Sequence, residues 1–330
     1  MSKADSRSIR NKFGKLTMKE PYSKTRLFSV RFRGYIDLFR PFTLIAPIVV
    51  SMFIIVASLV YSEEATPSDW LATVLHASFT LAVVNAASNA LNQATDVEAD
   101  KISKPYRPIP RGIVRPDEAQ SLAYILYLFA LLRSVMINWQ FGIFVFLIMV
   151  FTVTYSLPPR IKQYLFINQV WIAIPRGILA ILAAWSVFGD PFQKEPLIIG
   201  TIATLFLIGG MATKDIVDSE ADKKTGVHTL INTYGIKTTA LISLPFISFP
   251  FIFIPVMVSS GFLESYLLPL SFLLIPSCLV FYLMIRGGES KTLENVQAWA
   301  AMYIEYVVFA IGFALLVIFG GLFDLASILG

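Results

Sequence analysis

Residues 70–100 read WLATVLHASFTLAVVNAASNALNQATDVEAD, a mostly apolar stretch that ends in a run of acidic residues. About 20 consecutive apolar residues are enough to cross the hydrocarbon core of a bilayer as a helix. Lipid offers the backbone no hydrogen-bond partners, so an apolar stretch of this length is expected to be helical. The segment therefore predicts a membrane-spanning helix with carboxylates at one end.

Similar apolar stretches recur along the whole chain. Of the 330 residues, 56% are hydrophobic and 15% are charged, whereas a soluble domain carries about 25% charged residues. We predict nine spans, near residues 41–62, 70–91, 117–137, 139–156, 165–188, 196–214, 236–260, 264–286 and 298–323. The expected fold is an all-α integral membrane bundle in which residues 41–330 form one nine-helix domain. Residues 1–40 are expected to be a basic N-terminal tail with an amphipathic lead-in.

The basic residues predict the orientation of the chain, because they concentrate in cytoplasmic loops. With nine spans, 24 of the 27 Lys and Arg residues lie on the side of the N-terminus, eleven of them in residues 1–40. We therefore expect the N-terminus and the loops after the even-numbered spans to be cytoplasmic. Attraction to membrane lipid explains a basic tail beside a span better than nucleic-acid binding does. A tail without a specific role is an equal alternative, and no nucleic-acid partner is expected.

Two acidic runs lie at the expected cytoplasmic ends of spans. Their oxygen-bearing side chains are Asn92, Asp96 and Asp100 in the first run, and Asp215, Asp218 and Asp222 in the second. Residues four apart lie on one face of a helix, where like charges destabilise it. Oxygen ligands suit magnesium or calcium, and magnesium commonly bridges carboxylates to phosphate oxygens. We therefore expect a site for Mg²⁺ and a diphosphate; solvated helix ends paired with nearby Lys and Arg are the alternative.

The two runs also form a weak internal repeat. An offset of 122 residues carries Asp96 onto Asp218 and Asp100 onto Asp222, each at the exit of a span with the same orientation. This favours two half-sites that face one cavity, although transporters also contain such repeats. Arg and Lys are natural phosphate ligands, and the candidates beside the runs are Lys104, Arg107, Arg160, Lys162 and Lys214.

Arg176 falls near the middle of the fifth predicted span, in the segment Ile174-Pro175-Arg176-Gly177. An arginine at this depth is costly, and it marks either a functional cavity or an internal ion pair. The proline and the glycine beside it are expected to loosen the helix.

These segments together resemble the UbiA superfamily of intramembrane prenyltransferases along nearly the whole chain. The first family motif, Asn-Asp-x-x-Asp-x-x-x-Asp, is similar to residues 92–100, except that Gln93 stands where many members have aspartate. The second motif, Asp-x-x-Asp-x-x-x-Asp, is similar to residues 215–222. The segment from Arg40 to Thr43, the loop 104–112 and Tyr155-Ser-x-Pro also fit the family.

The resemblance implies nine helices around a central cavity and a Mg²⁺-dependent transfer of a prenyl group. The donor would be an allylic prenyl diphosphate, and the acceptor would be a lipophilic molecule. The six motif residues would coordinate Mg²⁺ and the diphosphate. Arg40, Lys104, Arg107 and Lys162 would contact the diphosphate more directly, and Tyr155 would lie near the reacting allylic carbon. Gln93 lies off the face formed by Asn92 and Asp96, so metal binding is expected to survive.

The acceptor stays open at this point. A quinone-precursor aromatic ring, geranylgeranylglyceryl phosphate and a chlorophyllide-like molecule are the three classes, and Arg176 favours an anionic acceptor if it faces the cavity. One alternative function is a terpene cyclase of the same fold. A second is an ion-coupled transporter, which would place its acidic residues nearer the midplane. A third is an intramembrane aspartyl protease, but the expected Gly-x-Gly-Asp segment does not occur in this sequence.

Overall fold

The structure is a computed structural model, and it describes residues 24–62, 66–286, 291–292 and 295–320. Its helices are α1 (Lys24–Phe39), α2 (Ile45–Tyr61), α3 (Trp70–Thr95), α4 (Val97–Ser103), α5 (Pro116–Val135), α6 (Trp139–Ser156), α7 (Ile167–Arg176), α8 (Ile178–Trp185), α9 (Lys194–Gly210), α10 (Asp215–Lys224), α11 (Leu230–Ser259), α12 (Leu274–Arg286) and α13 (Gln297–Gly320). Short 3₁₀ segments occupy Pro41–Thr43, Ile161–Gln163, Met211–Lys214 and Ser265–Leu273. The strands β1 (Lys291–Thr292) and β2 (Asn295–Val296) pair antiparallel. Residues 1–23 of the predicted tail lie outside the described residues.

Within the described residues, helical segments lie at all nine predicted spans. Seven of them are long and apolar enough to cross a membrane, and an eighth is a pair of helices, 29–43 and 45–61, bent by 49°. The remaining segment is α5, whose 20 residues include Asp117, Glu118 and Arg133. These charges lower its apolar character without shortening it. The all-α, multi-spanning fold class predicted from the sequence is confirmed, with one two-residue strand pair between α12 and α13.

The helices form a closed ring in which successive spans pack against each other. Going round the ring, α2 packs on α3, α3 on α5, α5 on α6, and α6 on α7 and α8. The second half continues through α9, α11, α12 and α13, and α13 packs back against α2. This arrangement leaves a cavity inside the ring.

The outer surface of the ring carries large apolar side chains at helical spacing. On α3, for example, Leu71, Leu75 and Phe79 are 52%, 50% and 52% exposed. Soluble proteins rarely expose contiguous apolar patches of this kind, whereas a helix that faces lipid requires them. Together with the apolar spans, this surface makes the chain an integral, multi-pass membrane protein.

The order of elements repeats in the two halves of the chain. In each half, an arginine with left-handed backbone is followed by a 3₁₀ turn, spanning helices and a short helix with acidic residues. The arginines are Arg40 and Arg160, both with φ of 52°, and the acidic helices are α4 and α10. These two short helices pack against each other, so the repeat brings both acidic runs to the same end of the ring.

Candidate active site

A cavity of about 320 Å³ lies inside the ring of helices. All fourteen candidate residues from the sequence line it: Arg40, Asn92, Asp96, Asp100, Lys104, Arg107, Tyr155, Arg160, Lys162, Arg176, Lys214, Asp215, Asp218 and Asp222. Further along the spans, its walls are apolar and include Ile54, Leu81, Ile148 and Ile181. The cavity therefore has a strongly charged end and a hydrocarbon-like interior.

The first acidic run spans the junction between α3 and α4. Asp96 lies at the junction with non-helical backbone angles (φ −108°, ψ 22°), yet the i to i+4 backbone hydrogen bonds from Asp96 to Asn92 and from Asp100 to Asp96 persist. The predicted stripe of side chains therefore survives the break. The nitrogen of the Asn92 side-chain amide donates to Asp96 Oδ2 over 2.9 Å. The side-chain oxygen of Asn92, Oδ1, is therefore available to a ligand.

Asp100 forms a buried ion pair with Arg107. One guanidinium nitrogen, Nη1, donates to both carboxylate oxygens over 3.0 and 2.9 Å. Burial raises the pKa of Asp100, and the charge of Arg107 opposes that rise. A buried charge is tolerated only when it is paired, so this contact fixes the loop after α4 against the first motif.

The second acidic run is tied to the first through Lys104. The Lys104 ammonium forms an ion pair with Asp218, 114 residues further along the chain. Lys214 forms an ion pair with its neighbour Asp215, whose other oxygen, Oδ2, is buried and accepts no hydrogen bond from any residue that the structure describes. The two acidic runs and their cations thus form one charged network across the end of the ring.

Lys162 projects into this network from the loop after α6. It forms an ion pair with Asp96, and Arg160 Nη2 lies 3.2 Å from Asp96 Oδ1. Burial lowers the pKa of Lys162 to about 7, and the carboxylate of Asp222 opposes this effect. An anionic ligand in the cavity would favour the charged form of Lys162 for the same reason.

Arg40 is held at the cavity by three amides that the sequence reasoning did not identify as functional. They lie four residues apart on α3, and each donates to the turn around Arg40. Asn85 donates to the Thr43 carbonyl (3.2 Å), Asn89 to the Phe39 carbonyl (2.9 Å), and Gln93 to the Leu38 carbonyl (2.8 Å). The only sequence signal for this role was the repeated amide at i to i+4 spacing within an apolar helix.

Tyr155 and Arg176 lie on the apolar side of the charged end. Tyr155 is the next-to-last residue of α6, and its hydroxyl lies beside the Lys214 ammonium. Arg176 is the last residue of α7 and lines the cavity about 14 Å along the helix axis from Ile167. The structure resolves the alternative left open by the sequence: Arg176 faces the cavity, and among the described residues no carboxylate forms an ion pair with it.

The donor set fits Mg²⁺, which prefers carboxylate, amide and phosphate oxygens. No group of three acidic, histidine or cysteine side chains within the described ranges is close enough to hold a metal ion by itself. Four of the motif aspartates are instead engaged by Lys or Arg: Asp96, Asp100, Asp215 and Asp218. Magnesium usually keeps waters and takes phosphate oxygens as further ligands, so a complete protein cage is unnecessary.

A comparison with protein families matches the model of the UbiA prenyltransferase family to residues 50–304. The chain belongs to this family. The matched region contains both acidic motifs, and the prenyltransferase class predicted from the sequence is confirmed with it. The chain is similar to a digeranylgeranylglyceryl phosphate synthase from Methanobrevibacter smithii, with 26% identity over 84% of this chain and 97% of that protein.

Solved structures of the family share the fold. A structure of a digeranylgeranylglyceryl phosphate synthase aligns with a TM-score of 0.64 and 23% identity, covering 87% of this chain and 99% of the other. A structure of a UbiA homologue from Archaeoglobus fulgidus bound to GPP and Mg²⁺ aligns with a TM-score of 0.60 and 19% identity. The alignment covers 86% of this chain and 99% of the homologue. The fold predicted from the family resemblance is therefore confirmed.

Proposed function

We propose that this family member transfers a prenyl group from an allylic prenyl diphosphate to a lipid-soluble acceptor, with Mg²⁺ as cofactor. One observation carries the proposal: both acidic motifs and their basic partners line the same end of a cavity whose walls further along carry apolar side chains such as Ile54, Leu81 and Ile148. The charged end suits a diphosphate, and the apolar walls suit a hydrocarbon tail. A transporter would hold its acidic residues near the midplane of the membrane.

The basic residues would bind the leaving group. Lys104, Lys162 and Lys214 each form an ion pair with a motif aspartate. A diphosphate carries more negative charge than one carboxylate, so it would attract the same ammonium groups strongly. When bound, Mg²⁺ would neutralise further charge on the diphosphate oxygens, held by the six motif residues Asn92, Asp96, Asp100, Asp215, Asp218 and Asp222.

The reaction would begin with cleavage of the bond between the allylic carbon and the diphosphate oxygen. The electron pair leaves with the diphosphate, whose charge is stabilised by the fixed cations. A nucleophilic atom of the acceptor then bonds to the allylic carbon, and the acceptor releases a proton. The apolar walls keep water from the carbocation, and the ring of Tyr155 would stabilise positive charge close to it.

The name of the relative from Methanobrevibacter smithii, digeranylgeranylglyceryl phosphate synthase, supports testing geranylgeranylglyceryl phosphate as the first acceptor. A quinone-precursor aromatic ring and a chlorophyllide-like molecule are the other two classes to test. Geranylgeranylglyceryl phosphate would enter the cavity from the lipid phase, because its long apolar chain partitions into the bilayer.

We further propose that the N-terminus and the charged end of the cavity face the cytoplasm. The support is the distribution of basic residues, of which 24 of 27 lie on that side. A cysteine placed at the exposed position Lys223 should be labelled by a membrane-impermeant reagent in inside-out vesicles alone. Labelling of right-side-out vesicles would reverse the orientation.

The deciding experiment measures diphosphate release and prenylated product from purified protein in liposomes. The donors are geranyl, farnesyl and geranylgeranyl diphosphate, each offered with the three acceptor classes. We expect turnover that requires Mg²⁺, stops with a chelator and returns when Mg²⁺ is added back. Asp96→Ala and Asp218→Ala should each abolish turnover.

Glu220→Ala is the matched control, because Glu220 is an exposed acid on the same helix as Asp218 and pairs with Lys224 over 2.6 Å. It should keep normal turnover. Diphosphate release without an acceptor, with a cyclic product, would assign the protein to the cyclases. Absence of turnover with every donor and acceptor, in folded protein, would contradict the proposed function.

A further inference from the structure

The span that contains Arg176 is broken at this residue. Helix α7 ends at Arg176, Gly177 adopts non-helical angles (φ −90°, ψ −101°), and α8 begins at Ile178. Non-helical backbone at membrane depth is tolerated where it lines a cavity or is buried in protein. The break therefore has a cost that other features of the structure must offset.

Side chains from two other helices satisfy the backbone groups at the break. Tyr306 of α13 donates its hydroxyl to the Arg176 carbonyl over 2.6 Å, and the Ile178 amide donates to Thr204 Oγ1 of α9 over 2.8 Å. Helix α9 approaches so closely that a Cβ atom on Gly177 would lie 2.3 Å from Thr204 Oγ1 and 2.7 Å from the Thr204 Cα atom. These contacts fix the position of Arg176 at the cavity wall.

The guanidinium of Arg176 differs from the other cavity cations in its partners. Lys104, Arg107, Arg160, Lys162 and Lys214 each lie within ion-pair distance of a motif aspartate. Across the part of the chain that the structure describes, Arg176 has no carboxylate at that distance. The side chains of Tyr155, Tyr303 and Tyr306 line the same cavity as Arg176.

An unpaired cation inside a membrane protein is costly and marks a functional site. The negative charge must come from a ligand, and the hydroxyls of Tyr155 and Tyr303 can donate further hydrogen bonds to the same ligand. The prenyl tail of a donor is uncharged, and its diphosphate has its own set of cations at the end of the ring. The second substrate is the remaining source of an anion at this depth.

We propose that Arg176 binds an oxyanion of the acceptor, so that the acceptor is a lipid-soluble molecule with a phosphate or carboxylate group. This assignment rests on the proposed prenyl transfer and narrows its acceptor. The fixed helix break makes Arg176 a preformed anion site, and the aromatic pair Trp299 and Tyr303, stacked at 5.2 Å between ring centroids, lines the same cavity.

The test compares acceptors that differ only in the oxyanion. Wild-type protein is assayed with geranylgeranylglyceryl phosphate and with the same glycerol ether lacking phosphate, and with 4-hydroxybenzoate and its methyl ester. For at least one pair, we expect kcat/KM to be about 10- to 100-fold higher for the charged member, as for loss of one charged hydrogen-bonded pair. The phosphate and carboxylate arms distinguish the two sources of the anion.

Arg176→Met should remove this preference, so that the charged and neutral members of the pair react at similar, low rates. Arg176→Lys should keep part of it. Arg133→Met is the matched control, since Arg133 is an arginine in another span that donates to Thr80 Oγ1 (3.1 Å) and does not line the cavity. It should leave the preference unchanged.

Donor binding separates this inference from the proposed function. Stabilisation of the protein against heat by geranylgeranyl diphosphate and Mg²⁺ should be the same in wild type and Arg176→Met. Loss of that stabilisation in the variant would place the role of Arg176 on the donor or the fold and overturn the inference. Equal wild-type rates with charged and neutral acceptors would also overturn it while leaving prenyl transfer intact. Absence of any prenyl transfer would overturn both.

Discussion

The side-chain amide of Gln93 donates a 2.8 Å hydrogen bond to the backbone carbonyl of Leu38, 55 residues earlier in the chain. Both residues are buried, with exposed fractions of 1% and 0%. An ionised aspartate at this position could not donate this bond. Gln93 does not line the cavity; it joins α3 to the end of α1, next to Arg40.

Gln93→Leu should therefore weaken the fold and donor binding together. The buried Leu38 carbonyl would lose its side-chain donor, which typically costs about 1–3 kcal/mol in free energy of unfolding. The turn that positions Arg40 would also loosen, so the KM for the donor should rise. Thermal unfolding in detergent and steady-state kinetics measure the two effects. Gln120→Leu is the control, because Gln120 donates to the exposed Tyr124 hydroxyl. An equal loss of stability and of donor binding in Gln120→Leu would contradict the role assigned to Gln93.

Lys162→Met should weaken donor binding. Lys162 is 5% exposed and forms an ion pair with Asp96 at the charged end of the cavity. Removal of one charged hydrogen-bond donor to a diphosphate should raise the donor KM by about 10- to 100-fold, with little change in the acceptor KM. Lys223→Met removes an exposed lysine from α10 and should change neither. An unchanged donor KM in Lys162→Met would remove this residue from the diphosphate site.

Gly177→Ala should destabilise the protein and reduce turnover. The new methyl group would meet both the side chain and the backbone of Thr204 at 2.3–2.7 Å, so α8 and α9 would have to separate. Overpacking of this kind costs about 1–3 kcal/mol or more. Gly312→Ala is a matched change in α13, where the added Cβ would lie 3.5 Å from Leu270 Cδ2, and its melting temperature should not fall. Equal melting temperatures for both variants would contradict the proposed close approach.

Glu305 should tolerate glutamine but not alanine. Its carboxyl is 2% exposed, and Ser277 Oγ lies 2.5 Å from Glu305 Oε1 and 2.8 Å from the Ile247 carbonyl. One hydroxyl hydrogen cannot serve two acceptors, so a neutral Glu305 that donates to Ser277 completes the chain. Glu305→Gln keeps a donor and should retain stability within about 1 kcal/mol, whereas Glu305→Ala leaves a cavity and should lose about 2 kcal/mol or more. Thermal unfolding measures both; similar losses would exclude this hydrogen-bond chain.

Both acidic motifs were recognisable before the fold was known. Asn92, Asp96 and Asp100 follow an apolar span at i to i+4 spacing, and such a charge pattern at a membrane boundary needs a counter-ion whatever the tertiary structure. The partner of each acid was not predictable. Lys104 pairs with Asp218 across 114 residues, and no local rule of helix geometry relates positions so far apart.

The amides on α3 illustrate the same limit. Asn85 and Asn89 read as ordinary polar positions in an apolar span, because their role depends on the turn at 39–43 that they contact. The predicted depth of Arg176 in the membrane was enough to make it unusual. The sequence was equally consistent with an internal ion pair and with a position facing a cavity. The structure distinguishes them, because Arg176 lines the cavity and no carboxylate among the described residues forms an ion pair with it.

The sequence by itself determined that this chain is a multi-spanning helical protein with two acidic runs at the ends of spans. Lipid imposes this outcome, because it cannot hydrogen-bond to the backbone and does not solvate charge. Tertiary structure decided which charges neutralise one another and which cation is left to a ligand. Those outcomes depend on distances between helices far apart in sequence, and the free energy of a charge pair depends on that separation and on burial.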